Sequence, residues 1–257
     1  MRVLGACLAV GLALVVGLIA LLMAFEVSPL AYAIVGPLLM VGLLFGVVEL
    51  PKVIIGRNVP RLGRRFGLEH AVGGSGPESH WTLSGSWKGR SLEARYAKHE
   101  VATIETASMG EIKVFGELTL VEMACASTGQ VWIVANDGPD VAPAGSALPV
   151  SCTTGDRAFD AHVADAYLLF GEEDELAAVL SHAPARLLLG LKRRLRLRDA
   201  LLADPSLAVG EGKIRLVVSG VFIEMGSLVL VFDAMAELAA LLDDEAQEPP
   251  LADRSPD

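Results

Sequence analysis

Trp81-Thr-Leu-Ser-Gly-Ser-Trp87-Lys-Gly-Arg-Ser-Leu-Glu-Ala-Arg-Tyr96 is the stretch whose reading decides how the chain folds. Leu83, Gly85 and Trp87 alternate with other residues before Lys88-Gly89, and Leu92, Ala94 and Tyr96 do so after it. A period of two marks strands, and a Lys-Gly pair between two such runs marks a tight β-hairpin. Downstream, Val101 to Thr106, Ile112 to Met123 and Val131 to Val134 read as further strands, punctuated by glycines 110, 116, 129 and 138. Leu207 to Phe222 reads as another β segment that turns at Gly210-Glu-Gly212.

From Glu172 the periodicity changes to helical. Glu172-Glu-Asp-Glu175 suits a helix N-terminus, with Leu176, Val179 and Leu180 as its apolar face, and Pro184 opens a second helix. Leu228, Val231, Met235, Leu238 and Leu242 recur by threes and fours, opposite Asp233 and Glu237, which predicts an amphipathic helix laid on a sheet. Strands first and helices later predict one α+β domain over 79–243, with a mainly antiparallel sheet and C-terminal helices. An Asp-, Glu- and Pro-rich tail over 244–257 is expected to be disordered.

Upstream, the chain reads as a membrane anchor. Val3 to Phe25 and Val27 to Val48 contain 23 and 22 residues without a charge. Each exceeds the roughly 20 helical residues that cross a bilayer. Glu26-Val-Ser-Pro29 separates them, which predicts a transmembrane helical hairpin over 1–50. Arg2 precedes the first span, and Lys52, Arg57, Arg61, Arg64 and Arg65 follow the second. By the positive-inside rule both termini are cytoplasmic, giving a multi-pass cell-membrane (inner-membrane) protein. Ala31-Tyr-Ala33 has the form of a signal-peptidase site, and cutting there would leave one span of reversed topology. Leu4-Gly-Ala-Cys7 has the letters of a lipoprotein site without an apolar lead. Gly5, Ala9, Ala13 and Gly17 form a small-residue stripe, and Gly42 and Gly46 repeat its spacing. Such stripes serve packing within the hairpin or homo-oligomer formation. Residues 51–78 are a basic juxtamembrane segment and a linker that breaks at Gly73-Gly-Ser-Gly-Pro77.

Composition agrees with this division. The 257 residues are 53% hydrophobic with formal charge −10, and residues 66–257 carry 15 basic and 29 acidic side chains, a net −14. A duplex nucleic-acid binder relying on positive charge is excluded. Three cysteines exclude a disulfide scaffold; Cys125 and Cys152 stay reduced in a cytosolic domain and are able to pair in an envelope-facing one.

Chemistry is sparse. In Gly155-Asp-Arg-Ala-Phe-Asp-Ala-His162, Asp160 and His162 share a face if the segment is a strand. That leaves an enzyme or metal-protein reading through Asp156, Asp160 and His162, against a structural motif in which Asp156 caps a turn and Phe159 anchors it in the core. Arg186 to Arg198, read as one helix, gathers Arg186, Lys192, Arg193 and Arg196 opposite Leu188, Leu191, Leu195 and Leu202. Such a helix rests on anionic lipid or an acidic partner, or simply faces the core. No cofactor motif and no nucleophile elbow is present.

The paired spans, the Gly155-Asp156 and Phe159-Asp160 pairs, Leu180-Ser181-His182 before a helix carrying Arg186 and Leu187, and the closing helix together resemble a group of uncharacterised bacterial membrane-anchored proteins. The likeness covers roughly Val150 to Leu242. It implies this architecture and the structural role of Asp156, Phe159 and Asp160, and no activity. The resulting expectation is a non-enzymatic anchored protein that presents an acidic domain to the cytosol for an unidentified protein partner or for self-assembly.

Overall fold

The computed structural model describes residues 54–74, 80–106, 110–127, 129–137, 148–195, 200–201, 203–222 and 224–247. The two uncharged stretches, their small-residue stripes, Cys7 and Arg196 lie outside these. The chain divides into two units, Met1–Arg57 and Asn58–Asp257. The second contains the sheet.

Its elements follow a helix α1 over 54–66. They are β1 (Glu69–Gly73), β2 (His80–Trp87), β3 (Arg90–Thr106), β4 (Gly110–Ala124), β5 (Val131–Ala135), α2 (Arg157–Ala166), β6 (Tyr167–Phe170), α3 (Glu173–Ser181), α4 (Ala183–Leu189), α5 (Leu191–Leu195), β7 (Ala200–Leu201), β8 (Ser206–Gly210), β9 (Lys213–Val221) and α6 (Met225–Gln247). The strand order is β1-β2-β3-β4-β9-β8-β5-β6, with β7 beside β9. Every pairing is antiparallel, so the α+β fold with its antiparallel sheet is the one the alternating runs predict.

Two hairpins are set by their turns. Lys88 and Gly89 have φ of 48° and 81°, and Glu211 and Gly212 have φ of 54° and 72°. Positive φ at both central residues is the type I′ geometry whose twist matches that of paired strands, and glycine at the second position removes the Cβ clash. In register, Trp87 faces Arg90 and Gly210 faces Lys213.

One row of side chains crosses seven strands. Leu83 faces Ala94, Ala94 faces Val121, Val121 faces Leu216, Leu216 faces Leu207, Leu207 faces Ile133, and Ile133 faces Leu169. All are at most 5% exposed. The adjacent row, Ser84, Glu93, Glu122, Arg215, Ala208 and Trp132, falls on the opposite face by the period of two. Glu122 accepts there from Arg215 Nε at 2.8 Å.

α6 buries Leu228, Val231, Met235, Leu238 and Leu242, the positions its periodicity predicts. Phe232 meets Trp87 edge-on at 5.3 Å, and Trp87 Nε1 donates to Asp233 Oδ1 at 3.2 Å. Met225–Gln247 is long and apolar enough to cross a membrane by composition, with 56% of its most apolar window buried inside the fold. The helix also runs past Asp243, so residues 244–247 of the expected disordered tail are helical. Polar anchoring accounts for this: Asp243 pairs with Arg90 and accepts from Ala126 N–H, and Glu245 Oε1 lies 3.1 Å from His182 Nε2.

The sheet begins upstream of Ser79. β1, within the segment read as linker, pairs with β2, and Leu68 N–H donates to Gly63 O at 2.8 Å, closing the end of α1. Leu62 and Leu68 are buried, and Phe66 packs 4.7 Å from Trp87. A fragment spanning 58–247 is therefore expected to unfold cooperatively in urea without any membrane. Starting at Ser79 instead removes α1 and β1 and costs about 1.5–3 kcal/mol per buried apolar side chain lost. Equal unfolding midpoints for the two fragments would contradict this.

Candidate functional site

The Gly155–His162 segment forms the start of a helix, not a strand. Asp156 is the N-cap of α2, its Oδ1 accepting from Ala158 and Phe159 N–H at 3.1 and 3.2 Å. This supplies two of the donors that a helix start leaves open. Asp160 turns back to accept from Thr154 N–H at 2.9 Å, Thr154 Oγ1–H at 2.6 Å and Gly155 N–H at 3.2 Å. These bonds from Thr154 and Gly155, with Arg186 beyond, hold the Asp160 carboxyl below its ordinary range. Phe159 is half-buried and not in the core as the sequence reading had it. Its ring carries the Arg186 guanidinium at 4.9 Å, while Arg186 also donates from Nε to Leu180 O at 2.8 Å and reaches Asp156 Oδ2 at 3.4 Å. One arginine thus ties α2 to the α3–α4 junction.

The second cluster lies between the end of α2, β6 and α5. Arg193 Nη2 is 3.0 Å from His162 Nδ1. Guanidinium only donates, so Nδ1 accepts and the imidazole proton sits on Nε2. That Nε2 is buried without a hydrogen-bond partner among the described residues. Tyr167 stacks edge-on against His162 at 5.7 Å and donates to Leu189 O at 2.8 Å. Lys192 Nζ reaches Asp137 Oδ2 at 2.8 Å and Asp204 Oδ2 at 3.7 Å, and Asp204 N–H donates to Asp137 Oδ1 at 3.2 Å. Asp204 Oδ1, like His162 Nε2, is buried and unpartnered among the described residues.

The electrostatics of the cluster follow from burial first. Burial and then the Arg193 charge lower the His162 pKa, against smaller opposing effects of Asp204 and Asp165. Burial, then Asp204 and Asp137, raise the Tyr167 hydroxyl well above its usual range. For Asp137 burial pulls upward, but the Lys192 and Asp204 hydrogen bonds outweigh it and leave the carboxyl low. Chemically the arrangement offers a neutral imidazole N–H donor and a carboxylate acceptor, with a lysine and an arginine beside them.

Two expected constellations are not assembled. Asp156 and Asp160 are engaged by backbone and Thr154, whereas His162 belongs to the Arg193 cluster, so no common centre joins the three. Among the described residues no group of three or more His, Cys, Asp or Glu is placed to hold a metal ion. The basic run is also broken: α4 ends at Leu189 with Gly190 as its C-cap, and α5 starts at Leu191. Arg186, Lys192 and Arg193 each turn to a different internal partner, so they make no continuous basic face; Arg196 lies outside the described residues. Tyr167, Asp137 and Asp204 escaped the sequence reading because Tyr167 opens the short strand β6, Asp137 follows β5 and Asp204 precedes β8, with no motif around any of them. Cys125 and Cys152 are free thiols. Burial raises both, helped at Cys152 by Glu173 and Asp160.

No family model matches this chain, and no curated protein and no solved structure matches it either.

Replacing Asp156 with Ala is expected to cost about 1 kcal/mol of stability in urea titration, the usual size of a lost helix cap. The pH dependence has a definite sign. With its folded pKa lowered, His162 binds a proton more readily in the unfolded chain, so stability falls as pH drops below about 6.5. Arg193→Gln removes a repelling charge and should raise the His162 pKa in an NMR titration. An unchanged or lower value would refute the assignment.

Proposed function

We propose that this is a membrane-anchored, non-enzymatic protein that holds its acidic α+β domain at the cytosolic face of the cell membrane for a protein partner or for self-assembly. The uncharged stretches at 3–25 and 27–48 and the bases that follow them support the anchor. The observation that carries the binding role is the edge of the sheet. β1 is the outermost strand of the order, and its residues 69–72 are exposed, Val72 to 45%. Among the described residues its outer edge pairs with no other strand. An unpaired edge offers backbone donors and acceptors to an incoming strand.

A specific observation favours a second reading. The buried His162 Nε2–H and Asp204 Oδ1 are a donor and an acceptor without a partner among the described residues, which suits a small polar ligand at the α2–α5 cluster in place of the Asp156, Asp160 and His162 centre. An envelope-facing domain with Cys125 and Cys152 paired is the remaining alternative.

Fusions after Asp257 to a green fluorescent reporter and, separately, to alkaline phosphatase test the placement. Fluorescence without phosphatase activity is expected. Phosphatase activity without fluorescence would move the domain outside. Ala71→Pro in β1 should abolish in-cell cross-links made by the full chain, since proline blocks strand addition; unchanged cross-links would exclude the β1 edge.

A further inference from the structure

The continuous basic face that residues 186–198 fail to make is made by α1. Within the unit that begins at Asn58, Val59 and Leu62 are 1% and 0% exposed and Gly63 is buried, whereas Arg61, Arg64 and Arg65 are exposed. At about 3.6 residues per turn these two sets stand on opposite sides of one helix. Gly63 has no room for a side chain, since a Cβ there would meet His70 Nδ1 of β1 at 2.5 Å. The buried side is thus fixed to the sheet, and the arginines are held out together on the other.

These arginines are left without counter-charges. Elsewhere in the domain Arg90, Arg186 and Arg215 pair with Asp243, Asp156 and Glu122. Among the described residues no carboxylate pairs with Arg61, Arg64 or Arg65. Arg64 Nε donates to Pro60 O of its own helix at 3.3 Å, and the Arg65 guanidinium lies 5.3 Å from the centre of the Phe66 ring. Like charges three and four residues apart on a helix repel one another. The positive-inside rule asks only for bases near a span and is indifferent to the helix face they occupy. A single face of unpaired guanidinium groups on a domain of net negative charge is therefore a feature that topology does not account for.

Guanidinium donates in a fork that matches phosphate oxygens, which makes the fitting ligand a phosphate-bearing anion. Chain length says which one is at hand. From Val48, the end of the second uncharged stretch, six residues lead to the start of α1 at residue 54 and seven helical ones to Arg61, by 54 − 48 and 61 − 54. Together they reach at most about 30 Å, so in every pose of an anchored domain the headgroups are close and their effective concentration is high. Phe66, 38% exposed at the end of the same helix, adds an aromatic ring of the kind that settles at headgroup level. A second copy would bring the same acidic body, whose charge opposes its approach.

We propose that the Arg61, Arg64 and Arg65 face of α1 binds the phosphate groups of anionic phospholipid headgroups, so that lipid charge holds the domain in addition to the anchor. This rests on the membrane-anchored reading above.

The test uses the full chain in vesicles of phosphatidylcholine with a minor share of phosphatidylglycerol, and a photoreactive benzophenone side chain placed singly at Leu14 or Phe66. Lipid adducts are expected at both positions. At Phe66 phosphatidylglycerol should be enriched several-fold over its share of the vesicle, and the enrichment should vanish when Arg61, Arg64 and Arg65 are all changed to Gln, which keeps helix propensity at exposed positions. Adducts at Leu14 with none at Phe66, or Phe66 adducts in the vesicle's own lipid ratio, would overturn the proposal and leave the anchor in place. Enrichment that survives the triple substitution would overturn it too. Chain-to-chain adducts at Phe66 in place of lipid adducts would assign the face to a second copy and overturn it. No adduct at Leu14 would remove the anchor and the proposal together.

Discussion

The row Leu83, Ala94, Val121, Leu216, Leu207, Ile133 and Leu169 is the constraint on which the rest of the structure depends. It links strands far apart in sequence into one apolar line, and each large member contributes about 1.5–3 kcal/mol on burial. It also fixes register. A slip of one residue would exchange this row for Ser84, Glu93, Glu122 and Arg215 and bury charges beneath the helices. The two type I′ turns at Lys88-Gly89 and Glu211-Gly212 reinforce the same register locally.

Because that row and α6 close one face of the sheet, function is left to what remains open. The helix side is occupied by internal ties: Arg186 across α2 and α4, Asp243 to Arg90, and Trp87 between Phe66 and Phe232. The opposite face is polar where Glu122 pairs with Arg215 and apolar further back along β4, at Leu120 and Leu118. The exposed β1 edge lies beside it, and the polar cluster around His162 sits at the far end of the strand order, next to β6.

Sequence revealed the elements whose signals are local and the faces they bury. The Lys88-Gly89 hairpin, the Gly210 to Gly212 turn and the α6 stripe all follow from periods of two or 3.6 and from glycine at positive φ. Asp156 was legible as a cap because an Asp before a helix accepts from N–H groups of its first turn, but the element it caps is a helix, which places His162 in another cluster. β1 and β6 were missed for opposite reasons. β1 is exposed and has no apolar alternation, whereas three of the four residues of β6 are buried, which erases the period of two. The break at Gly190 divided a leucine- and arginine-rich run that reads as one helix, and the partners of Lys192 and Arg193 lie too far away in sequence to be seen. The polar end of α6 stays helical through Arg90 and His182, again distant residues.

Hydrogen exchange resolved by peptide in a fragment spanning 58–247 tests the central claim that the buried row from Leu83 to Leu169 holds the sheet in one register. Amides of β4 over 118–124, of β9 and of β5 should exchange slowly, and more slowly than those of the exposed β1. Rapid exchange of β9 or β5, or equal exchange of β1 and β9, would contradict the account.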